Sequence, residues 1–273
     1  GVSEYSKVKN IDLSAFLAGN DLLLISNDIP GGIDAIAAAY VKGDVSEERL
    51  SHSVKKVLKA KYKVGLAAYR PVDTAHLIED LNTPQDTALN TEAMGKALTL
   101  LKNENGLLPI KGTGKIGHIA LGDAPSSPFE DQLKHYQKLR TFTQINAKNV
   151  IEKTAGIDTL IVSFHRSNDN PWKAADFSNE EIQIIRKLAQ TKTILLDVFV
   201  KPYALKALEG IEGIDAVLLS YQNSESAQQL SADALFGAQD LSGRLPVNVS
   251  ESIQEGAGMD LLGNFRLGFS APA

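Results

Sequence analysis

The polar side chains within residues 165–176 are the ones in this chain whose types and spacing could do chemistry. His165 and Arg166 offer hydrogen-bond donors, and Trp172, the only tryptophan, offers an apolar face. They follow residues 159–164, an apolar run rich in β-branched residues that predicts a strand buried on both faces. In open α/β sheets, ligands bind at the carboxyl ends of strands. This segment is therefore a candidate substrate-binding loop, and the alternative is an ordinary surface loop with a half-buried tryptophan.

Other motifs in the sequence give no second site. Residues 112–115 are glycine-rich, but they precede a predicted strand and lack the spacing of a phosphate-binding loop. The GxSxG motif of a nucleophilic serine is absent. Four histidines lack a second ligand at metal-like spacing: His52, His76, His118 and His135. We therefore expect no metal and no cofactor. Asp197 lies inside an apolar run, where a structural hydrogen bond to its carboxyl group is the favoured explanation.

Composition places the chain among ordinary globular proteins. Its 273 residues are 43% hydrophobic and 22% charged, which suits one or two domains with a real core. The net charge is −5 and the basic residues are dispersed, so neither nucleic acid nor an anionic membrane is an expected partner. The absence of cysteine excludes disulfides and thiolate chemistry. We find no membrane-length apolar span and no signal peptide, and a start at Gly1 without methionine indicates a processed or truncated piece.

From residue 93 onwards, predicted strands and helices alternate. The predicted strands are residues 116–121, 139–145, 159–164, 193–200, 214–220 and 245–249, with helices at 128–136, 147–154, 179–189, 202–208 and 224–236. Strands that alternate with helices predict parallel pairing and right-handed crossovers. We therefore expect an open, mostly parallel α/β sandwich domain of five or six strands over residues 93–250.

Residues 1–65 carry a weaker pattern. One short apolar strand is predicted at residues 22–25, followed by helices at residues 33–42 and from Ser46 onwards. One strand with its helices cannot close a core, so this segment is expected to be part of something larger. Residues 66–92 contain two prolines and no sustained apolar period, which is typical of a linker. The predicted domains are therefore 1–65 and 93–273.

Four motifs in this order resemble glycoside hydrolase family 3. Ala18-Gly19-Asn20-Asp21-Leu22-Leu23-Leu24 resembles the AGxDxxL/M strand of that family, and residues 43–66 resemble the segment that follows it. Residues 100–109, LLKNENGLLP, are similar to the LLKN…LP signature that opens its second domain. Residues 234–247 contain LFG and SGRLPV, which resemble the segment that closes it. The resemblance covers nearly the whole chain and is closest to the β-N-acetylglucosaminidase-like branch of Bacteroidetes-type bacteria.

The resemblance implies that residues 1–65 are the last β/α unit of a (β/α)8 barrel. The family's catalytic aspartate lies at the end of the seventh barrel strand, so the nucleophile and the acid/base are expected upstream of Gly1. In the β-glucosidase branch the proton donor is a glutamate in the loop that matches residues 164–177, and this loop contains no glutamate. His165 as a substitute donor is disfavoured. No catalytic residue is therefore expected within the chain.

Five residues remain as substrate-binding candidates by the same resemblance. Asn27 and Asp28 would follow the eighth barrel strand, at the mouth of the barrel. His165 and Arg166 would donate to sugar hydroxyls or to an anionic substituent, and Trp172 would stack on a sugar ring.

The resemblance also implies an activity and a setting. The parent is expected to be a retaining hydrolase of terminal β-linked N-acetylglucosamine, plausibly from peptidoglycan, or of β-glucosides. Its partners would be that carbohydrate and its own N-terminal barrel domain, in the periplasm or secreted. The alternatives are a non-catalytic module for glycan binding or domain packing, and an autonomous flavodoxin-like module, which would leave the family motifs unexplained.

Overall fold

The structure is a computed structural model that describes residues 10–111, 114–167 and 175–263. The chain divides into two compact units, Gly1–Ile78 and Glu79–Ala273. Each unit has its own architecture and is described by itself. The sequence predicted a linker at residues 66–92 between domains 1–65 and 93–273, and that division stays a prediction.

The N-terminal unit is helical over its described residues. Its helices are α1 (Ile11–Leu17), α2 (Ile29–Lys42) and α3 (Glu47–Lys63), a 3-10 turn at Leu66–Ala68 follows, and α4 (Leu77–Leu81) begins at its end. Each of the first three helices begins at a side-chain cap, namely Asn10, Asp28 and Ser46. Phe16, Ala39 and Val45 form its buried apolar cluster. The cluster is small, and many apolar side chains of this unit are exposed.

Asp21, from the family-like motif at residues 18–24, holds this unit together. Its carboxylate accepts hydrogen bonds from Arg49, Ser53 and Lys56 of α3. These contacts, with the bond from Lys56 foremost, hold the pKa of Asp21 well below its ordinary value. Arg49 also lies over the ring of Phe16 at 4.4 Å. The motif therefore ties the loop after α1 to α3.

The predicted strand at residues 22–25 is wrong for this unit. The segment has no strand, and Leu22, Leu24 and Ile25 are 70%, 83% and 87% exposed. Ile25 has a φ of 57°, in the left-handed region, which breaks an extended run. A strand needs a hydrogen-bonding neighbour, and the described part of this unit contains no strand for it to pair with. The apolar run is present in the sequence, but residues 10–78 of this unit leave most of it exposed.

The C-terminal unit contains a six-stranded sheet, within the predicted range of five or six strands, although its first strand was not among the predicted ones. Helix α5 (Pro84–Ala97) leads into β1 (Thr99–Asn103), followed by β2 (Ile116–Gly122), β3 (Arg140–Phe142), β4 (Thr159–His165), β5 (Thr193–Phe199) and β6 (Ala216–Leu219). The strand order is β1-β6-β5-β4-β2-β3. All neighbours pair in parallel except β1, which is antiparallel to β6. The fold class expected from the sequence is confirmed for this domain.

Helices connect the strands and cover the sheet. They are α6 (Ser127–Tyr136), α7 (Val150–Lys153), α8 (Asn179–Ala189), a 3-10 helix at Pro202–Leu208 and α9 (Glu225–Leu235); another 3-10 turn, Glu104–Gly106, follows β1. One buried cluster packs α7, α8 and the 3-10 helix on one face, and the other packs α6 and α9 on the opposite face. Neighbouring side chains of a strand point to opposite faces, so β2, β4, β5 and β6 each contribute to both clusters, whereas the short edge strand β3 contributes only Phe142. The core is therefore two-layered, with the sheet in the middle.

Two predicted elements of this unit differ from the structure. Residues 245–249 form no strand, because Leu245 pairs through its backbone only with Gly256 and Ala257 of a returning loop, and the next residue, Pro246, has no N–H to donate. The predicted strand at residues 139–145 shortens to Arg140–Phe142, an edge strand with a single neighbour. Both errors lie where the sheet ends.

Candidate functional site

The topology of the sheet identifies the point at which a ligand would bind. From β2 the chain crosses outwards to β3, whereas from β4 it crosses the other way to β5, so β2 and β4 are neighbours whose connections diverge. In doubly wound sheets a crevice opens at such a switch point, at the carboxyl ends of the strands. Gly122 ends β2 there with a φ of 103°, and a side chain on it would lie 1.9 Å from the carbonyl oxygen of His165. Only glycine allows this close approach.

A cavity of about 420 Å³ lies at this edge of the sheet. It is formed by the residues that follow β2, β4 and β6 and by the first turns of α6 and α9. Six uncharged side chains that can hydrogen-bond line it: Ser127, Ser167, Gln222, Asn223, Ser224 and Gln228. Glu225 is the one charged residue among its lining residues. The lining is thus mixed: apolar surface, uncharged hydrogen-bonding groups and one carboxylate enclose a space of moderate size.

Two amide side chains tie the loops of this cavity together. Asn223 Nδ2 donates to the carbonyl oxygen of Pro125 at 3.0 Å, and Gln228 Nε2 donates to the same oxygen at 3.2 Å. Gln228 Oε1 accepts from the backbone N–H of Phe129 at 3.2 Å. The loop after β2 and the loop after β6 are therefore fixed to each other by side chains rather than by backbone pairing. The shape of the cavity depends on these two residues.

His165, a predicted site residue, lies beneath the cavity and is fully buried. Its Nδ1 lies 2.6 Å from Asn223 Oδ1, and its Nε2 lies 2.8 Å from Ser163 Oγ. The ring stacks on Phe199 with centroids 4.5 Å apart. Burial lowers the pKa of His165 to about 4, against the opposing effect of the Asn223 hydrogen bond. The imidazole is therefore neutral near pH 7, and it reaches the cavity only through Asn223.

A second buried histidine continues the same network. His118 Nε2 lies 2.8 Å from Ser163 Oγ, so one hydroxyl bridges two imidazoles. His118 Nδ1 has no partner among the described residues. Burial lowers the pKa of His118 to about 3, and the positive charges of His165 and Lys134 would disfavour its protonation further. His118, which the sequence offered only as a packed or surface histidine, is packed.

Arg166 points away from this network, into a set of ion pairs. It donates to both carboxylate oxygens of Glu181, at 3.0 and 2.7 Å, and lies 3.5 Å from Asp123. Its guanidinium also lies over the ring of Phe164 at 4.7 Å. Glu181 is in turn the capping-box residue of α8 and accepts from the N–H of Ser178. Arg166 therefore fastens the end of β4 to the start of the next helix.

The remaining predicted site residues divide between the two units. Asn27 and Asp28 lie in the N-terminal unit, where Asp28 Oδ1 caps α2 by accepting from the N–H of Gly31 at 3.0 Å. Asn27 is exposed. Trp172 lies outside the described residues. The structure thus brings His165 and Arg166 to one edge of the sheet, and the substrate-binding role of all five stays a prediction.

Asp197 is fully buried one strand away from Ser163, in register with it. Its carboxyl group accepts from Ser220 Oγ at 2.7 Å and from Ser231 Oγ. Burial raises the pKa of Asp197 to about 7, although both hydroxyls and the N–H of Val198 oppose that rise. A structural hydrogen bond was the favoured explanation from the sequence, and the structure contains two.

Sequence reasoning missed Asn223 and Gln228. Both lie in or near polar loop sequence, QNSES and AQQL, that carries no spacing signal. Their importance follows from the return of β6 next to β5, which brings the loop after β6 over the switch point. The sequence signal that could have pointed to them is the prediction that several parallel strands end at the same edge of the sheet, where the loops that follow them meet.

Other possible sites are less suited to a polar ligand. A second cavity of about 270 Å³ lies beside β1 and β6, and its lining is mostly apolar, with Leu101, Leu205 and Ile253 among its residues. Among the described residues, no group of three or more histidine, aspartate or glutamate side chains could hold a metal ion. None of the helices in that part of the chain is both long and apolar enough to cross a membrane.

Comparison with known proteins agrees with this architecture. The profile of the glycosyl hydrolase family 3 C-terminal domain matches residues 98–265. A lysosomal beta glucosidase of Dictyostelium discoideum is 25% identical over 286 residues, covering 86% of this chain and 34% of that protein. A probable beta-glucosidase L of Emericella nidulans is 24% identical over 307 residues, covering 90% of this chain and 41% of its own length. The chain thus spans about a third to two fifths of these relatives.

Solved structures show the same fold. A family 3 beta-N-acetylglucosaminidase from Paenibacillus sp. str. FPU-7 superposes with a TM-score of 0.65 at 22% identity, over 88% of this chain and 47% of that one. A beta-glucosidase from Listeria innocua gives a TM-score of 0.63 at 19% identity, over 84% of this chain and 36% of that one. At these identities the likeness is one of fold. Because the family profile covers more than half of its residues, the chain belongs to glycosyl hydrolase family 3.

Proposed function

We propose that this chain is the C-terminal part of a retaining glycoside hydrolase that releases terminal β-linked N-acetylglucosamine, with β-glucosides as the alternative substrates. The cavity after β2, β4 and β6 would contribute to binding the sugar. The observation that carries this proposal is the set of uncharged hydrogen-bonding side chains in the lining of that cavity, at the topological switch point. Hydroxyl and amide side chains match the hydroxyls of an uncharged sugar, whereas an anionic ligand would be repelled by Glu225.

The relatives support a sugar as the ligand. Two curated relatives are named as beta-glucosidases, a third is named as a putative beta-xylosidase, and one similar structure is named as a beta-N-acetylglucosaminidase. These activities belong to those proteins, each much longer than this chain. The family's catalytic nucleophile and acid/base are proposed to lie upstream of Gly1, so the activity would belong to the longer protein.

The five candidate residues fit this proposal in different ways. His165 and Arg166 would act indirectly, since His165 is buried and Arg166 is paired with Glu181 and Asp123. Trp172 would supply a stacking face for a sugar ring. Asn27 and Asp28 would belong to the mouth of a barrel.

An N-terminal barrel domain is proposed as the partner of the first unit. Leu22, Leu24 and Ile25 form an exposed apolar run, and packing against the barrel domain would cover it. By family resemblance, the parent protein is proposed to be periplasmic or secreted.

A hydrolysis assay on a chromogenic N-acetylglucosaminide tests the proposal. The chain alone should show no turnover above background, and a version extended upstream through the barrel should release product. In the extended enzyme, Gln222→Ala or Trp172→Ala should raise KM several-fold, equivalent to about 1–2 kcal/mol of lost binding per contact. Val41→Ala, an exposed change in the N-terminal unit, is the control and should leave KM unaltered. Turnover by the chain alone would show that catalytic residues are present in it.

One observation favours a second candidate, a module that packs or binds glycan without catalysis. Arg166 and His165 are both held by internal contacts, as expected of residues that stabilise a domain. If Gln222→Ala and Trp172→Ala lower only thermal stability and leave KM unchanged, this second function replaces the first.

A further inference from the structure

The proton positions in the network beneath the cavity follow from a single backbone carbonyl. Pro125 O can only accept a hydrogen bond, so the side-chain atom of Asn223 that faces it at 3.0 Å must be the NH2 group. The Asn223 carbonyl oxygen therefore faces His165, whose Nδ1 lies 2.6 Å away and must donate. This argument fixes the amide without relying on its appearance in the structure.

The same reasoning continues inwards. With Nδ1 protonated, the neutral ring of His165 has a bare Nε2, which accepts from Ser163 Oγ at 2.8 Å. That bond uses the one hydrogen of the hydroxyl, so Ser163 Oγ must accept from His118 Nε2. His118 Nδ1 is then bare, and it is the ring atom without a partner among the described residues. The two histidines therefore carry opposite tautomers.

We propose that Asn223 is a positioning residue that couples the Nδ1–H tautomer of His165 to the loop at Pro125, and so sets the shape of the cavity for an uncharged, hydroxyl-bearing ligand. Asn223 lines the cavity, and its two ends contact the buried network and the opposite loop. The ligand part of this inference rests on the proposed function, whereas the coupling between histidine and loop does not.

Alternative side chains at position 223 show why an amide is needed. Aspartate has no NH group to donate to Pro125 O, and leucine can bond neither side. Gln228 also donates to Pro125 O, but its remaining hydrogen bonds are to backbone groups. It therefore holds the loop without a contact that depends on the tautomer of His165. Asn223 is thus the residue that contacts both His165 and the loop at Pro125, and it links the tautomer of the histidine to the position of that loop.

Nitrogen-15 spectra of the histidine side chains of this chain test the coupling. We expect His165 to be protonated on Nδ1 and His118 on Nε2 at neutral pH. In Asn223→Leu, the Nδ1–H of His165 loses its acceptor, so the Nδ1 nitrogen and proton signals of His165 should shift. The Ala124 and Ser126 amide signals should move as well, because the same substitution removes the bond to Pro125 O. The matched control, Gln222→Ala, alters the neighbouring lining residue and should leave the histidine signals unchanged.

A titration with N-acetylglucosamine, followed by the same amide signals, tests the consequence for binding. Asn223→Leu should raise the Kd about tenfold. A wild-type His165 protonated on Nε2 overturns the inference, even if the variant fails to fold, and so does an unchanged Kd in a variant whose His165 signals have shifted. If the wild-type chain shows no response to the sugar while the tautomers are as assigned, the ligand assignment of this cavity fails and the coupling of Asn223 to His165 stands. The proposed function is then decided separately, by the hydrolysis assay on the extended enzyme.

Discussion

The two faces of the C-terminal sheet differ in what they bury. The face under α7 and α8 is apolar from strand to strand, with Leu160, Val162 and Phe164 of β4 as its centre. The opposite face, under α6 and α9, carries buried polar side chains from the strands, from the residue after β6 and from α9: His118, Ser163, His165, Asp197, Ser220, Gln228 and Ser231. Because these side chains are buried, their polar groups need hydrogen-bond partners within the protein.

The two faces therefore have different roles: the apolar face mainly stabilises the fold, and the polar face mainly orients the side chains at the cavity. Burial of apolar area on the first face stabilises the sheet without specifying anything beyond size and shape. The second face stabilises less per residue, because hydrogen bonds made there replace bonds to water. It does, however, hold His165 and Asn223 in fixed orientations at the cavity. We infer that the face under α7 and α8 stabilises the fold, and that the face under α6 and α9 fixes the side-chain geometry at the edge of the sheet where the cavity lies.

The largest expected effect is a core deletion on the apolar face. Phe164→Ala removes a ring that stacks on Phe177 and lies under Arg166, and should lower the free energy of unfolding by about 3–5 kcal/mol. Urea unfolding followed by circular dichroism measures this. Leu89→Ala, on the exposed side of α5, is the control and should change stability by less than about 0.5 kcal/mol. If Phe164→Ala and Leu89→Ala lower the free energy of unfolding equally, the apolar face is not the main source of stability.

A smaller effect is expected on the polar face of the same strand. Ser163→Ala deletes the hydroxyl that bridges two imidazoles and leaves both Nε2 atoms buried without a partner, at a cost of about 1–3 kcal/mol. It should also uncouple the two histidine tautomers, which Phe164→Ala should leave intact. Spectra of the histidine nitrogens alongside urea unfolding check both statements. Unchanged stability in Ser163→Ala would mean that the polar row contributes no net hydrogen bonding.

The apolar face was the easier one to predict from sequence. Runs such as residues 159–164 and 193–200 are buried on both sides, so their pattern depends little on what packs against them. Helix α8 was predicted with its bounds, because Ser178 and Glu181 form a capping box that is legible locally. The prediction failed at residues 22–25, where strand formation requires a partner strand that composition cannot supply.

From the sequence, the candidate site could be predicted only as far as the edge of the sheet on which it lies, and not as far as the directions of its side chains. The pattern placed His165 and Arg166 in the loop after a buried strand; in the structure His165 is the last residue of β4, and Arg166 follows it directly. It could not show that the first side chain points inwards and the second towards Glu181, because a shift of one residue exchanges the faces of a strand. Asn223 lies 58 residues from His165 in sequence and meets it only through the strand order.

The most gradual expected effect, comparable in total size with that of Ser163→Ala, is a dependence of stability on pH that separates the two kinds of buried group on the polar face. His118 and His165 have pKa values lowered to about 3 and about 4 in the folded chain, against 6.5 as ordinary values. Between about pH 4 and 6 the unfolded chain therefore binds two more protons at these residues. Their contribution to stability is complete above pH 6.5 and is lost as pH falls towards 4.

Asp197 acts in the opposite direction over the same range. Its pKa is raised from 3.8 to about 7, so the folded chain binds one proton more than the unfolded chain, and its contribution is lost as pH rises through 7. The three groups together leave one excess proton on the unfolded chain, a slope of about 1.4 kcal/mol per pH unit at most. Asp197→Asn removes the opposing group, so its unfolding free energy should rise more steeply with pH than that of the wild type between pH 4 and 6. Because every other titrating group is common to both proteins, the difference between their urea-derived curves isolates Asp197; parallel curves would mean that its carboxyl group is ionised in the fold.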